Sequence, residues 1–350
     1  METHQYVHMT KKLTLEELAE AAGVSIATVD RVVNQRGGVS AKAEKNVLEW
    51  ANRLNLDRHL YRSYLSSIRV AVLIPSTINP FFSAMSDAFR ALGGETNNTK
   101  INTFIHTIDS MDARKISRKL SDLATQYDAM VICCPDHQQV SDAIQKVAGL
   151  LPVVTLVTDL PKSGRIAYVG PDNRQIGRVA GEIMGRFLGE SGGKVLMMLG
   201  YNRIAGHQER EMGFRLVLRE RFPNVSILDV ADSEEDSSRA AQIAQNALKH
   251  SPDIRGIYNV SAGNYEIAQT LIKLGRTTDV VFITHELTPK RREMLKRGIL
   301  DAVIDQNPRM EARRAIDVLA HHFNRAQFAQ ITDDFIPFEI FLRENCPASM

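Results

Sequence analysis

The chain has 350 residues, 44% of them apolar and 24% charged, which is the composition of an ordinary globular protein with room for two or three domains. A formal net charge of +2 excludes a uniformly basic nucleic-acid coat. Three cysteines, two of them adjacent at Cys133 and Cys134 inside an apolar run, exclude a disulfide scaffold and fit buried thiols in a reducing compartment. The first ten residues are polar, carry two histidines and lack an apolar signal core, so they read as a disordered tail and not as an export signal. No apolar run reaches the ~18–20 residues of a membrane helix. The expected location is cytoplasmic.

Between Lys11 and Arg69 ten Lys and Arg stand against seven Asp and Glu, an excess of three, whereas residues 70–350 are neutral. The basic front end points to a polyanionic partner. Within it, Leu15, Leu18, Ala19 and Ala22 recur at helical spacing, and Thr14 with Glu17 makes a capping box. Gly23 ends that helix. Ser25 starts a second one, carrying Ile26, Val29, Val32 and Val33, which runs to Asn34. Gly37-Gly38 breaks the pattern again, and Ser40 caps a third helix to about Leu54. Three short helices with a glycine turn between the first two form a helix-turn-helix, whose second helix fits a major groove about 12 Å wide.

From Arg69 onward strands and helices alternate. Arg69–Pro75, Ile101–Ile108, Ala129–Cys134, Val153–Val157 and Ile166–Val169 read as strands, with a helix over Pro80–Gly93. A second series follows at Lys194–Leu199, Val225–Val230, Gly256–Val260, Val280–Thr284 and Asp301–Ile304. Helices begin near Asp172, Gly206, Ser237, Asn264 and Thr288. Repeated βα units imply parallel sheets covered by helices. The stretch is too long for one small core, so two similar lobes are expected.

The segment Leu13 to Asn34 resembles the DNA-binding headpiece of the lac-repressor family of bacterial transcription regulators. The matching residues are Leu15, Leu18, Ala19, Ala22-Gly23-Val24-Ser25, Thr28-Val29, Arg31-Val32-Val33-Asn34 and Val39-Ser40. The resemblance implies base reading at Ile26, Ala27 and Arg31. Arg31 suits a guanine edge through two hydrogen bonds, while Ile26 and Ala27 offer only apolar contact, as to a thymine methyl. Asp30 departs from the small polar residue usual there. Its carboxylate repels phosphate, so it is expected to orient Arg31 or to accept from a cytosine amine. Ser25, Thr28, Asn34 and Ser40 are expected phosphate contacts, with capping or plain exposure as the competing reading, and Thr14 is an expected DNA contact.

The same family has a linker helix whose leucine enters the minor groove. Here that leucine falls on Leu65, the usual Pro and Asn on Arg58 and His59, and a small residue on Arg62. Two readings stay open: Leu65 as a wedge with Arg58 and Arg62 following phosphates, or Leu65 as interdomain packing. The expected organisation is a tail over 1–10, a helix-turn-helix domain over 11–56, a linker over 57–68 and an effector domain over 69–350. Its first lobe spans about 69–171 and 307–333, its second about 172–306 and 334–350.

The stretch from about 69 to 345 resembles the two-lobed periplasmic sugar-binding proteins, in particular their ribose-binding branch. Four places carry this: Asn79-Pro80-Phe81-Phe82, Tyr168-Val169-Gly170-Pro171-Asp172-Asn173, Arg210 within HQEREMGF, and Asp305-Gln306-Asn307-Pro308. The resemblance implies effector contacts from Asn79, Phe81, Phe82, Thr158, Asp159, Arg210, Ser261, Asn264, His285, Glu286 and Gln306. Each of the four places follows a strand, where parallel sheets bind ligands. Other readings stay open: a surface ion pair of Arg210 with Glu209 or Glu211, plain core for Phe81 and Phe82, and a plain turn at Asp159-Pro161.

GESGGK at residues 189–194 lacks the phosphate-loop spacing and precedes a strand. His321-His322 and the cysteine pair lack metal-ligand spacing. Neither a nucleophile elbow nor a dinucleotide fingerprint is present, so no metal, cofactor or catalytic group is expected. The reading is a repressor-type transcription regulator, not an enzyme. It would bind double-stranded operator DNA as a homodimer or higher homo-oligomer, under allosteric control by a sugar or polyol. A solute-binding transport receptor and an α/β sugar-metabolising enzyme are the alternatives.

Overall fold

The computed structural model describes residues 14–33, 36–54, 67–76, 79–95, 99–108, 110–325 and 335–348. The tail, Asn34 and the linker positions Arg58, Arg62 and Leu65 lie outside the described residues. The chain divides into two compact units, one holding the N-terminal helices and one holding both sheets.

In the first unit α1 (Leu15–Ala22), α2 (Ile26–Val33) and α3 (Ala41–Arg53) follow one another. The hydroxyl of Thr14 accepts the Glu17 N–H, and the Glu17 carboxylate accepts the Thr14 N–H, so the capping box is closed. Gly23, at φ 63°, ends α1 in the left-handed region that favours glycine, and its N–H satisfies the carbonyls of Ala19 and Glu20. The three helices bury Leu18, Ala19, Ala22, Val29, Val32, Val33, Val47 and Ala51 against one another.

The second unit has two lobes. In the first, β1 (Ile68–Pro75), β2 (Ile101–Ile108), β3 (Ala129–Ile132), β4 (Val153–Leu156) and β5 (Ala167–Val169) form a parallel sheet of order β2-β1-β3-β4-β5. Its helices are α4 (Pro80–Glu95), α5 (Ala113–Ala124) and α6 (Gln138–Ala148). Every residue of β1 except Arg69 is buried, because helices cover both faces of the sheet.

The chain then enters the second lobe through α7 (Asn173–Leu188). There β6 (Gly193–Leu199), β7 (Val225–Asp232), β8 (Ile254–Asn259), β9 (Val281–His285) and β10 (Ala302–Asp305) pair in parallel. The helices between them are α8 (Ala205–Arg221), α9 (Ser237–His250), α10 (Asn264–Lys273) and α11 (Pro289–Lys296). α12 (Pro308–His322) returns to the first lobe, where Ala312, Ala315, Ile316 and Leu319 join the core under α4. β11 (Glu339–Phe341) closes the second sheet antiparallel to β10, giving the order β11-β10-β9-β8-β6-β7. This three-residue strand is absent from the sequence reading, since none of its residues is buried and no alternation marks it.

One packing detail sets up the cleft. α7 places Gly177, Gly181 and Gly185 at four-residue intervals toward its neighbours. A Cβ on Gly177 would stand 2.0 Å from the Arg210 carbonyl oxygen of α8, and one on Gly213 2.1 Å from the Arg174 carbonyl oxygen. Bare backbones therefore touch at the point where Arg210 leaves α8. Among the described residues no helix is long and apolar enough to cross a membrane, and no His/Cys/Asp/Glu group is arranged to hold a metal ion.

Candidate functional site

Two surfaces carry the predicted residues. The first is the outer face of α2. Burying Val29, Val32 and Val33 turns Ser25, Ile26, Ala27 and Arg31 outward, and Ile26 is 48% exposed. An exposed isoleucine beside an arginine on a short helix suits a groove that offers methyl groups and acceptor edges. The predicted phosphate contacts are structural caps as well: Ser25 Oγ accepts the Thr28 N–H and lies 2.9 Å from the Thr28 hydroxyl, and Ser40 Oγ accepts the Ala43 N–H at 3.3 Å. Asp30 differs from the expected partnership with Arg31. Its carboxylate takes Arg36 Nη1 at 2.7 Å.

The second surface is the cleft between the lobes. Asn79, Phe81 and Phe82 enter it from the start of α4, Thr158 from the end of β4, and Arg210 from α8. Ser261, His285, Glu286 and Gln306 enter it from the ends of β8, β9 and β10. Phe81 and Phe82 meet edge to face at 5.1 Å; they belong to the first lobe's core, as the plain-core reading has it, and also line the cleft. Arg210 is 3% exposed, and its Nε donates to Asn173 Oδ1 at 2.8 Å. Glu211 is taken by Arg215, so the ion-pair reading of Arg210 gives way to a buried guanidinium in the cleft.

Asp159 and Asn264 stand outside the lining. The Asp159 carboxylate is held by Arg165 through two nitrogens and accepts the Leu160 N–H, which is the turn reading. Asn264 is buried among Asn259, Thr284 and Ser261 and holds the loop after β8. The structure adds lining groups that the sequence reading did not weigh as site residues: Asn173, His207, Glu235 and Arg291. Of these, Asn173 and His207 belong to the four motifs named from the sequence, and Glu235 and Arg291 to none.

The backbone is bent to aim these groups. Val157, Glu235 and Glu286 have φ of 66°, 60° and 62° at the cleft ends of their strands. A β-branched residue such as valine rarely adopts this left-handed conformation, and such strain gathers at ligand sites. The Val157 carbonyl is pinned there by the Tyr168 hydroxyl and the Asn173 amide, each at 3.0 Å.

The cleft mixes cations with carboxyls whose burial favours the protonated form. Arg210 and Arg291 supply cations. Burial, and then Arg210, pushes His207 down to about 3. Burial with Arg210 and His207 pushes His285 well below its usual range, so both rings are neutral. Burial and then Asp305 raise Glu286 to about 7, and burial raises Glu235. Gln306 Nε2 donates to Glu286 Oε1, and Arg291 Nη1 donates to the Glu286 carbonyl at 3.0 Å. The Tyr258 hydroxyl lies 2.8 Å from His285 Nε2. Among the described residues, two buried acceptor atoms of this group have no hydrogen-bond partner: Glu286 Oε2 and Gln306 Oε1.

Comparison with known proteins matches this layout to families. Residues 70–327 match the family described as periplasmic binding protein domain, and residues 14–57 match bacterial regulatory proteins of the lacI family. The chain is a lacI-family regulator with a periplasmic-binding-protein domain. The regulator is 27% identical over 270 residues to the ribose operon repressor of Halalkalibacterium halodurans, covering 74% of this chain and 76% of that protein. It is 25% identical over 256 residues to the ribose import binding protein RbsB of Salmonella typhimurium, covering 71% of this chain and 82% of that protein. A solved glucose-galactose binding protein from Geobacillus stearothermophilus shares the fold, with a TM-score of 0.73 at 21% identity over 81% of this chain and all of that one.

Proposed function

We propose that the regulator is a cytoplasmic repressor, not an enzyme, whose operator affinity is set by a small neutral sugar or polyol held between the lobes. The observation that carries this is that Glu286 Oε2 and Gln306 Oε1, buried with no hydrogen-bond partner among the described residues, belong to side chains lining the same cleft as Phe81 and Phe82. Unpaired buried acceptors cost free energy, and hydroxyl groups satisfy them while aromatic rings cover the C–H face of a ring. Arg210 and Arg291 share the cleft with Glu235 and Glu286, so the lining is not of a single sign and does not demand a strongly charged ligand. The names of its relatives, a ribose repressor and ribose-binding receptors, support the same ligand class.

The headpiece over 11–56 works in pairs across a two-fold axis, joined through the linker over 57–68 to the effector domain over 69–350. The effector favours one arrangement of the two lobes, and the free energy of that preference is transmitted as a change in DNA affinity. Ile26, Ala27 and Arg31 read bases, and Ser25, Thr28 and Ser40 contact phosphates. The test is a mobility-shift titration on the DNA upstream of the neighbouring genes, with D-ribose, D-allose and D-arabinose as effectors. A shift in half-saturation with one of them supports the reading. DNA binding with no response to any sugar or polyol contradicts the effector assignment.

A further inference from the structure

We propose that Asp30 is a positioning residue that holds Arg36 as a phosphate-contacting group beside the base-reading Arg31. This rests on the DNA-binding reading of α2 and extends it past the end of the helix. Asp30 directly precedes Arg31 and lies four residues after Ile26, on the rim of the face that α2 turns outward. A free carboxylate there would repel the operator backbone. Arg36 Nη1 meets it at 2.7 Å and cancels that charge.

The contact is also built to hold Arg36 in one place. The Arg36 N–H donates to the Arg31 carbonyl at 3.0 Å, which ties the chain after α2 back to the helix end. Gly37 and Gly38 then turn the chain at φ 67° and 73°, and a Cβ on Gly38 would lie 3.6 Å from Arg31 Nη1. The backbone that carries Arg36 is thereby held beside Arg31. The Arg36 side chain is 64% exposed against 32% for Asp30, so the ion pair leaves much of the guanidinium facing outward. Guanidinium carries five N–H donors in a planar fork, and the pair to Asp30 engages one nitrogen. A side chain already fixed loses less freedom when it meets DNA. Contacts with phosphate oxygens position a protein without reading sequence, so Arg36 adds affinity and not base preference.

The experiment selects binding sites from a randomised duplex pool with the full-length protein, then measures affinity for the selected and a scrambled duplex between 50 and 200 mM KCl. Arg36→Ala is expected to weaken binding to both duplexes by the same factor, to leave the selected consensus unchanged, and to reduce the slope of log K against log salt by about 0.9 per headpiece. Asp30→Ala is expected to strengthen binding more in the Arg36→Ala background, where the Arg36 cation no longer meets the carboxylate, than in the wild type. Both side chains are surface groups outside the headpiece core, and circular dichroism of each variant checks that the fold is retained. A changed base preference with Asp30→Ala would show that Asp30 reads a base and would overturn the proposal. So would an unchanged salt slope with Arg36→Ala, or equal effects of Asp30→Ala in the two backgrounds.

Discussion

Asn79 of the first lobe donates its side-chain amide to Glu235 of the second at 2.9 Å, while Asn79 Oδ1 accepts the Phe81 N–H and Ser261 donates its hydroxyl to the other Glu235 oxygen. One carboxylate thus engages two predicted effector contacts and bridges the cleft. Glu235→Ala removes the acceptor of both. The effector-free lobes are expected to part, giving a larger radius of gyration in X-ray scattering, with Glu235→Gln intermediate because it keeps one oxygen acceptor. Stability should fall by about 1–3 kcal/mol from the groups left unpaired. An unchanged radius would show that the other bonds across the cleft, Asp136 N–H to the Arg203 carbonyl and Gly206 N–H to Thr158 Oγ1, are sufficient.

Glu286 gives the cleft a pH dependence whose sign is fixed. Burial, with Asp305 second, raises its carboxyl from 4.5 to about 7 in the folded protein. The folded value exceeds the unfolded one, so the stability linked to its proton is complete below about 4.5 and is lost as pH rises through about 7. Glu286→Gln removes this loss. The Tm difference, variant minus wild type, should therefore grow from pH 4.5 to 7 and level off above. A flat difference across that window would contradict a buried, proton-holding Glu286. A hydroxyl donated to Oε2 favours the ionised form, so effector affinity should rise over the same window.

Gly177→Ala tests the backbone contact beneath Arg210. The added methyl would meet the Arg210 carbonyl oxygen at 2.0 Å, so α7 and α8 must separate. Overpacking of this kind costs about 1–3 kcal/mol, and it displaces Arg210 from the cleft. The variant should melt lower and bind effector more weakly than Gly149→Ala, where φ is −73° and the added Cβ comes no closer than 3.4 Å to a neighbouring atom. Equal effector affinity in the two would show that Arg210 does not depend on this close approach.

The parts that the sequence made legible are those governed by local chemistry. The headpiece followed from i, i+3, i+4 spacing, the Thr14–Glu17 cap and the Gly23 turn. The sheets followed from buried β-branched runs such as Val153–Leu156. What stayed hidden depends on contacts distant in sequence or on single side-chain choices. Glu235 lies 156 residues from Asn79 in the chain, and Arg291 reaches the cleft from a helix after its strand. Asp159 and Asn264 occupy the right loops, but nearby partners, Arg165 and Asn259, draw them out of the cleft. Asp30 sits at a position that implies DNA contact, and the residue that neutralises it lies beyond the helix end.

If occupancy of the cleft is transmitted to DNA, Arg210→Ala uncouples the two. The Arg210 guanidinium lies in the effector domain, in a different unit from the headpiece. Operator affinity of wild type and variant should be titrated with and without the sugar that shifts the wild type most. Equal effector-free affinity, with the variant's response lost at concentrations that saturate the wild type, is the predicted result. A variant that still responds at wild-type concentrations would place the effector outside this cleft.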